Sequence, residues 1–456
     1  MAEPAQRPQW GSRIGFIMAA AGSAVGLGNI WKFPYITGEN GGGVFVLIYL
    51  VCVLLVAMPI MLAEMILGHG SRQSPVGAFE HFHRKGSLWG WVGWLGVASG
   101  FVILSYYSVV AGWALNYVLL SLKGFTSMGP DAIGEIFGAV YASPGLNLFW
   151  HAVFMALTVG VVLGGVQKGI EKTCNILMPL LLVLLVFLVI RGIFLPEQGF
   201  RKALTFLFMP GDVHLNAHMI LEALGHSFFT LSLGMGAMLT YGSYLKTRKE
   251  LLGSALAVSG FDTLIAMLAC LMLFPIIFAF GFESQAGPGL VFKTVPIVFS
   301  QLTGGMFLAL VFFLMLAFAA LTSAISLLEV VTSTFMDKLG WTRRKATLVP
   351  ASLIFLLGMP SAVAGSGRVL PEWMTFFGRN FFDTMDYLAS NWMLPVGGLL
   401  TALFVGWVIP DARLRQAFGD TEHPAWLYTG FALLIRFVAP VLVLLILLNK
   451  VGLITV

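Results

Sequence analysis

The chain has 456 residues, of which 58 % are hydrophobic and 10 % are charged, and its mean hydropathy is +0.90. This composition excludes a soluble globular protein and indicates a polytopic, all-α membrane protein. The formal net charge of +5 does not indicate nucleic-acid binding, because the basic residues fall in short loops between apolar segments.

Eleven apolar segments are long enough to cross a membrane as helices. They lie approximately at residues 13–36, 44–68, 91–121, 147–164, 171–194, 217–243, 252–281, 305–336, 346–364, 380–408 and 427–449. Most Lys and Arg residues fall in the loops that lie on the same side of the membrane as the N-terminus. The positive-inside rule therefore predicts a multi-pass protein of the cell inner (plasma) membrane with a cytoplasmic N-terminus and, after eleven spans, an external C-terminus.

The first segment is interrupted. It contains AAAGSAVGLGNIWKFPY, residues 19–35, in which Gly22, Gly26, Gly28 and Pro34 break the helical pattern. Non-helical backbone is tolerated at membrane depth only where it is buried in protein or lines a wet cavity. The interruptions therefore indicate a broken helix that offers carbonyls to a cation and amides to an anionic group, as in a secondary transporter. Close packing of small residues against another helix is the alternative interpretation.

The sixth segment contains a second interruption, FFTLSLGMG at residues 228–236. Like the first, it combines hydroxyl side chains with a GxG motif. Two interrupted helices that lie five spans apart predict two inverted repeats, residues 13–194 and 217–408, with the site where they meet. Residues 427–449 would add an extra helix to what we expect to be one transmembrane domain, residues 1–456.

A long apolar loop, rich in Gly and Pro, separates the seventh and eighth segments at residues 281–305. Its many Phe, Val and Ile residues fit poorly with a surface loop. We expect it to pack into the protein as a re-entrant hairpin or lid.

Charged side chains deep in a span are functional candidates. Asp262, early in the seventh span, is suited to ligate a cation directly, and hydrogen bonding to a helix break is the alternative. Glu64 is expected to accept hydrogen bonds from amides that a broken helix leaves free. Glu329 and Arg436 lie nearer to helix ends, where snorkelling or local pairing is expected.

Two hydroxyls stand side by side in the eighth span, at Thr322 and Ser323. Together with nearby carbonyls they would suit a hard cation such as Na⁺, and bonds to their own helix are the alternative. His214 and His218 share a face at i, i+4, but no carboxylate or third histidine completes a zinc site, so we expect them at the surface.

These segments carry motifs of a known family. SAVGLGNIWKFPY followed by ENGGGVF, then FFTLSLGMG, AALTSA and KGIEK, resemble the motifs of the neurotransmitter:sodium symporter family over essentially the whole chain. The chain is most similar to the bacterial amino acid branch of that family, which includes members with eleven spans. The resemblance implies the leucine-transporter-like fold, with a 5+5 inverted repeat and broken helices 1 and 6, and a sodium-coupled symporter.

The resemblance also implies two bound sodium ions. The ligands of the first would be the Ala24 carbonyl, Asn29, Thr230, Asp262 and the substrate carboxylate. The ligands of the second would be the carbonyls of Gly22, Val25 and Ala319 and the hydroxyls of Thr322 and Ser323.

An amino acid would bind at the two breaks by the same resemblance. Its carboxylate would meet the amides of Leu27 and Gly28 and the Tyr107 hydroxyl. Its amino group would meet the carbonyls of Ala24, Phe229 and Thr230 and the Ser232 hydroxyl. Its side chain would lie among Ile103, Tyr107, Phe229, Met235, Ser323 and Leu327. Gly26 occupies the position at which the monoamine carriers of the family have an aspartate. The resemblance therefore implies ligands that bring their own carboxylate, namely hydrophobic L-amino acids of several sizes.

Gates are implied on both sides of this site. Outside, Phe229 and Tyr107 would form a lid, with Lys32 paired to Asp386 above it. Inside, Arg7 would pair with Asp337. The neighbours of this pair would be Trp10, Ser243 and Tyr244. In the fifth span, Gly169 and Pro179 have a spacing that relatives use to unwind the helix, and an ordinary helix start with a proline kink is the alternative.

The chain departs from chloride-dependent relatives around the first sodium site. Asp262 stands where many members have asparagine, Ala266 where an anion-binding serine is expected, and His226 where a glutamine is usual, whereas Tyr49 is retained. Our hypothesis is that the Asp262 carboxylate replaces chloride and that transport is chloride-independent.

Two other classes of function compete with a transporter. An intramembrane enzyme needs a nucleophile–base pair or a metal cluster within the bilayer, which the intramembrane residues do not offer, so we do not expect an enzyme. A gated channel, or a non-transporting amino acid sensor on the same fold, stays open. The expected partners are a hydrophobic L-amino acid and the lipid bilayer, and the sequence does not indicate an oligomeric state.

Overall fold

The structure is a computed structural model that describes residues 7–209, 215–281, 289–367, 371–419 and 423–453. Every secondary-structure element in these ranges is a helix. In chain order the helices are α1 (Arg13–Ala24), α2 (Gly28–Glu39), α3 (Gly43–Ser71), α4 (Pro75–Phe82), α5 (Gly90–Leu122), α6 (Pro130–Tyr141), α7 (Pro144–Leu163), α8 (Val166–Ile193), α9 (Gly199–Phe208), α10 (Ala217–Thr230), α11 (Ala237–Gly242), α12 (Arg248–Phe280), α13 (Leu290–Ser300), α14 (Gly305–Leu339), α15 (Arg343–Ser366), α16 (Pro371–Phe377), α17 (Phe381–Val408), α18 (Asp411–Phe418) and α19 (Ala425–Lys450).

Nine of the described helices are long and apolar enough to cross a membrane. They are α3, α5, α7, α8, α12, α14, α15, α17 and α19. A further span is the bent pair α1 and α2, whose axes differ by 57°. The predicted sixth segment is two helices, α10 and α11, separated by residues 231–236. The protein is therefore a multi-pass helical membrane protein, and both predicted interruptions are breaks in helices.

The first break follows from local sequence. The Ser12 hydroxyl caps α1 by accepting a hydrogen bond of 2.9 Å from the Gly15 amide. The helix ends at Ala24 because Val25 is extended (φ −69°, ψ 108°). The chain becomes helical again in a π-helical turn over Gly28–Lys32. Residues between the two helices therefore have backbone groups outside a regular helical ladder.

The second break depends on glycine. Gly234 (φ +76°) and Gly236 (φ +72°) adopt left-handed backbone conformations. Residues that carry a Cβ atom rarely adopt this conformation. A Cβ atom at Gly234 would also lie 2.2 Å from the Leu394 carbonyl oxygen. The Gly234 amide donates a 2.8 Å hydrogen bond to the buried Glu64 carboxylate, which confirms the contact expected for Glu64.

Helix packing brings the two breaks to the centre of the protein. The N-terminal half-helix α1 packs against α8, α12 and α14, and α5 lies along α14 over much of its length. The part of the apolar loop that the structure describes packs inward as well: α13 buries Phe292, whose ring stacks on Phe137 at 5.4 Å. The predicted inward packing is thus confirmed for residues 289–305, which form one short helix there, and residues 282–288 lie outside the described chain.

Candidate functional site

A cavity with about 390 Å³ of empty space lies between the two breaks. It is lined by all eleven residues that were predicted to contact the substrate: Ala24, Leu27, Gly28, Ile103, Tyr107, Phe229, Thr230, Ser232, Met235, Ser323 and Leu327. Ser23, Gly26 and Asn29 complete the wall. Among the described residues no charged side chain lines this cavity, so a ligand's formal charges must be met by backbone groups, hydroxyls or co-bound ions.

One end of the cavity is polar. The Leu27 amide points to the Tyr107 hydroxyl oxygen at 3.3 Å, and the Gly26 amide donates to the Asn29 side chain at 3.0 Å. A Cβ atom at Gly26 would lie 2.8 Å from the Ser323 hydroxyl and 3.1 Å from the Tyr107 hydroxyl. Glycine at this position therefore leaves the space between the amides and these hydroxyls open.

Another part of the cavity wall is apolar. Ile103, Met235 and Leu327 line the cavity and are all buried. Ser232 has a left-handed backbone (φ +54°) and donates its hydroxyl proton to the Ser23 carbonyl at 2.8 Å. The Ser232 oxygen can still accept a hydrogen bond, as the predicted contact with an amino group requires.

A buried carboxylate lies beside the cavity. Asp262 is fully buried and accepts hydrogen bonds from Asn29 (2.7 Å), Thr230 (3.0 and 3.1 Å) and Tyr49 (3.3 Å). All three donors are neutral, and none of the ion pairs between described residues involves Asp262. A buried charge without a counter-charge is costly. A cation bound beside Asp262 would supply the counter-charge that the neighbouring side chains do not.

His226 lies behind this cluster. It is buried, stacks on Phe33 at 5.4 Å and contacts the Tyr49 ring at 5.8 Å. Neither ring nitrogen has a hydrogen-bond partner among the described residues. The described part of the chain holds no group of three or more His, Cys, Asp or Glu side chains suited to a metal ion. His218 is exposed, 4.0 Å from Glu222, whereas His214 lies outside the described residues.

The oxygens predicted for the second ion also lie together. The Ser323 hydroxyl reaches the carbonyls of Gly22 at 3.3 Å and Val25 at 3.1 Å, across the interface between α14 and α1. Thr322 donates to the Ala319 carbonyl of its own helix at 3.1 Å. Thus Thr322 makes the bond to its own helix, whereas Ser323 bridges to the broken helix. This group contains only neutral oxygens.

The outer gate is not paired in this structure. A larger cavity, with about 910 Å³ of empty space, lies beyond Phe229 and Tyr107, which line both cavities. Lys32 and Asp386 line the larger one without forming the ion pair that was predicted. The Lys32 ammonium instead lies 4.9 Å from the centroid of the Phe229 ring, and Asp386 accepts a hydrogen bond from Ser390 at 3.1 Å.

The inner gate is closed. Arg7 forms an ion pair with Asp337, as predicted, donates to the Ser243 hydroxyl at 2.9 Å and lies 5.0 Å from the centroid of the Tyr244 ring. Trp10 is buried and donates from its indole to the Tyr241 carbonyl at 3.0 Å.

A second ion pair reinforces this side. Glu329 is fully buried, pairs with Arg343 at 2.5 Å and accepts from Tyr244 at 2.7 Å. Its predicted local pairing is confirmed, and snorkelling is excluded by its burial. Because the outer gate is unpaired and the inner gate is closed, the protein is open on the side that carries Lys32 and Asp386.

Glu171 was not among the predicted site residues. Its carboxylate accepts hydrogen bonds from the Gly11 amide at 2.7 Å and from the Ser12 amide at 3.1 Å, just before α1. The helix α8 starts with a π-helical turn over Val166–Glu171 and continues through Pro179, so it is not unwound here. The available signal was the KGIEK motif, in which Glu171 stands two residues after Gly169 and between Lys168 and Lys172.

Comparisons with known proteins agree along the whole chain. A sequence model of the sodium:neurotransmitter symporter family matches residues 7–128 and 142–455. The uncharacterized sodium-dependent transporter YhdH of Bacillus subtilis (strain 168) is 39 % identical over 454 residues, which cover 99 % of each chain. An uncharacterized sodium-dependent transporter of Haemophilus influenzae is 34 % identical over 455 residues, with 98 % of each chain covered. The crystal structure of MhsT in complex with L-phenylalanine superimposes with a TM-score of 0.88 at 43 % identity, and covers 97 % of this chain and 99 % of that one.

Proposed function

Because the chain belongs to the sodium:neurotransmitter symporter family, we propose that it couples sodium entry to the uptake of hydrophobic L-amino acids, both aliphatic and aromatic, by alternating access. The family and the leucine-transporter-like fold that the sequence predicted are confirmed. The relatives are transporters, not enzymes, and this chain is a sodium-dependent, multi-pass transporter. What we propose in addition is its substrate class, its ion sites, its orientation and its independence of chloride.

The lining of the central cavity carries the substrate proposal. Gly26 leaves open space in front of the Leu27 amide and the Tyr107 hydroxyl, and the cavity has no charged side chain among the described residues. A ligand must therefore bring its own carboxylate, and its side chain must be uncharged to meet Ile103 and Leu327. MhsT, a relative of 43 % identity, was crystallised with L-phenylalanine, which supports the same class of substrate for this chain.

Two sodium ions are proposed, each at one group of oxygens. The first would bind to Asp262, Thr230, Asn29 and the Ala24 carbonyl, and its shell would be completed by the substrate carboxylate. Each ligand then stabilises the site of the other, which is a coupling free energy between sodium and amino acid. The second ion would bind the carbonyls of Gly22, Val25 and Ala319 and the hydroxyls of Thr322 and Ser323, and would hold α1 against α14.

The transport cycle follows from the two gates. With the N-terminus in the cytoplasm, the side that carries Lys32 and Asp386 is external, so the substrate and sodium enter from there. Closure would bring Lys32 to Asp386 over Phe229 and Tyr107, and the Arg7–Asp337 pair would then open. An inward sodium gradient drives the cycle, since each charge moved across 100 mV is worth about 2.3 kcal/mol.

The decisive experiment is uptake of labelled leucine and phenylalanine into proteoliposomes with an inward sodium gradient, against an equal potassium gradient. We expect accumulation above equilibrium with sodium alone, and competition by other hydrophobic amino acids. Binding without accumulation would indicate the sensor instead, and non-saturating flux would indicate a channel. Failure of both amino acids to bind would contradict the proposed substrate class.

A further inference from the structure

A third crevice lies outside the transport pathway. It has about 690 Å³ of empty space where the last turns of α8 and α12 meet the start of α14. Leu188, Met272, Ile276 and Leu308 line it, together with Phe299 at the end of α13. All five are apolar, and none of them lines the central cavity or the outer cavity.

The rim of this crevice faces the membrane. Phe194, which lines the crevice, is 74 % exposed, and Phe307, the neighbour of the lining residue Leu308, is 55 % exposed, although both are large apolar side chains. In a multi-pass protein, large exposed apolar side chains at the level of a span are surrounded by lipid rather than by water. The crevice therefore opens from the lipid-facing surface, near the end of the span where headgroups lie.

One cation lines the crevice. Arg191 belongs to the last turn of α8, and its exposed side chain makes no hydrogen bond or ion pair with another described residue. An arginine near the end of a span extends toward the headgroup region, where its planar guanidinium is suited to bidentate contact with a phosphate. The crevice thus combines an apolar groove with a phosphate-binding group at its mouth.

We propose that this crevice binds one anionic phospholipid, with an acyl chain among Leu188, Ile276 and Leu308 and the headgroup phosphate on Arg191. The lipid would come from the leaflet that contains the end of α8, opposite to the inner gate. It would contact the helix α13 through Phe299, and so join that helix to the ends of two spans. The site does not depend on the identity of the transported substrate.

The test is native mass spectrometry of the full-length protein in detergent, titrated with phosphatidylglycerol or with phosphatidylcholine of the same acyl chains. We expect the wild-type protein to bind its first phosphatidylglycerol about fivefold more tightly than phosphatidylcholine, because one basic side chain near an anionic lipid contributes about 1 kcal/mol. Arg191→Gln should remove this preference. Arg201→Gln removes an exposed cation from α9 at the same end of the protein and is the matched control.

A second variant tests the groove. Gly192 lines the crevice, and a Cβ atom there would make only ordinary contacts, 3.6 Å from Pro275. Gly192→Leu should therefore fold, occupy the groove and weaken both lipids by a similar factor. A thermal unfolding midpoint close to that of the wild type shows that each variant is folded. The proposal is overturned if Arg191→Gln and Arg201→Gln lower the phosphatidylglycerol affinity equally, or if Gly192→Leu binds both lipids as the wild type does.

Discussion

The Glu171 carboxylate lies 2.7 Å from the Gly11 amide nitrogen and so joins the first turn of α8 to the chain that leads into α1. A carboxylate at the N-terminal end of a helix satisfies amides that have no partner in the helix and stabilises the helix dipole. The residue before Gly11, Trp10, is held by the segment that follows α11, since the Trp10 amide donates to the Tyr244 carbonyl at 3.1 Å. The start of α1 is therefore fixed from two sides while the inner gate is closed.

Gly15 makes this contact possible. A Cβ atom at Gly15 would lie 1.9 Å from the Glu171 Oε1 atom, so Gly15→Ala must displace the carboxylate and leave the two amides before α1 without an acceptor. Gly11 and Ser12 are both exposed, so water can replace part of the lost bonding, and we expect a cost of about 1 kcal/mol, the typical net value of one hydrogen bond. We expect Gly15→Ala to lower the thermal stability and to favour opening at the inner side.

Native Cys174 provides the measurement. It is fully buried on α8, one turn beyond Glu171, so its rate of maleimide labelling reports opening of this region. We expect faster labelling in Gly15→Ala than in the wild type. Gly160→Ala in α7 is the control, because a Cβ atom there would have no neighbour within 4 Å. Labelling of Cys174 at the same rate in both variants would contradict a role for the Glu171 contact.

Asp262 should link sodium and substrate. Its carboxylate is buried among neutral donors, the shortest of which is Asn29 at 2.7 Å. Asp262→Ala removes the fixed charge that the first sodium ion would meet, so we expect sodium and amino acid affinities to fall together, by about tenfold or more. Binding of labelled leucine over a range of sodium concentrations measures both. Asp383→Asn, which removes a carboxylate from the outer cavity, is the control, and an unchanged sodium dependence in Asp262→Ala would refute the assignment.

Uptake should depend on chloride only in a variant that lacks the negative charge of Asp262. In the wild type the Asp262 carboxylate supplies a negative charge near Tyr49, whose hydroxyl lies 3.3 Å from it. We therefore expect uptake to be unchanged when gluconate replaces chloride. Asp262→Asn keeps the shape and loses the charge, so its residual uptake should rise with added chloride. Loss of wild-type uptake in gluconate would disprove the hypothesis.

Much of the site could be predicted because its chemistry is local. The glycines of the two breaks can be recognised in the sequence, since glycine and proline inside an apolar segment disrupt a helix. The family motifs then assigned neighbouring residues such as Asn29 and Thr230, and the structure brings them to Asp262. The spans themselves follow from hydropathy and length.

The remainder depends on conformation and on distant contacts. Lys32 and Asp386 line one cavity without pairing, because their separation is set by whether the outer gate is closed, which the sequence does not specify. The partners of Glu171 are backbone amides about 160 positions earlier in the chain, and a backbone amide has no sequence signature. The crevice at Arg191 likewise depends on how the ends of three helices pack.

Stability should depend on pH at the surface near the inner gate. Glu80 on α4 pairs with Lys338 at 2.5 Å, and the hydrogen bond from Lys338 lowers the pKa of the Glu80 carboxyl below its usual value. A lowered pKa gives stability that is present above the ordinary pKa and is lost as the pH falls through the folded-state pKa.

We expect Glu80→Gln to lower the free energy of unfolding by about 0.5–1 kcal/mol at neutral pH. In acid well below the ordinary glutamate pKa of about 4.3, we expect no loss. Thermal unfolding at both pH values measures the difference, with Glu135→Gln, an exposed carboxyl on α6, as control. A penalty that persists in acid would mean that Glu80 acts through packing.

Gly26 should determine which class of ligand binds. A Cβ atom there would approach the Ser323 hydroxyl to 2.8 Å, so Gly26→Ala should weaken amino acid binding. Gly26→Asp goes further, because its carboxylate would occupy the position proposed for the substrate carboxylate and repel it. Opposed like charges cost several kcal/mol, so we expect Gly26→Asp to lose amino acid affinity by about 100-fold or more.

The same variant should retain a ligand without a carboxylate. Phenethylamine, which is phenylalanine without that group, is expected to compete for Gly26→Asp better than phenylalanine does, the reverse of the wild type. Gly225→Ala, where a Cβ atom would meet nothing within 4 Å, is the control for glycine replacement in a broken helix. If Gly26→Asp binds phenylalanine as the wild type does, the substrate carboxylate lies elsewhere, and the proposed link between it and the first sodium ion fails with it.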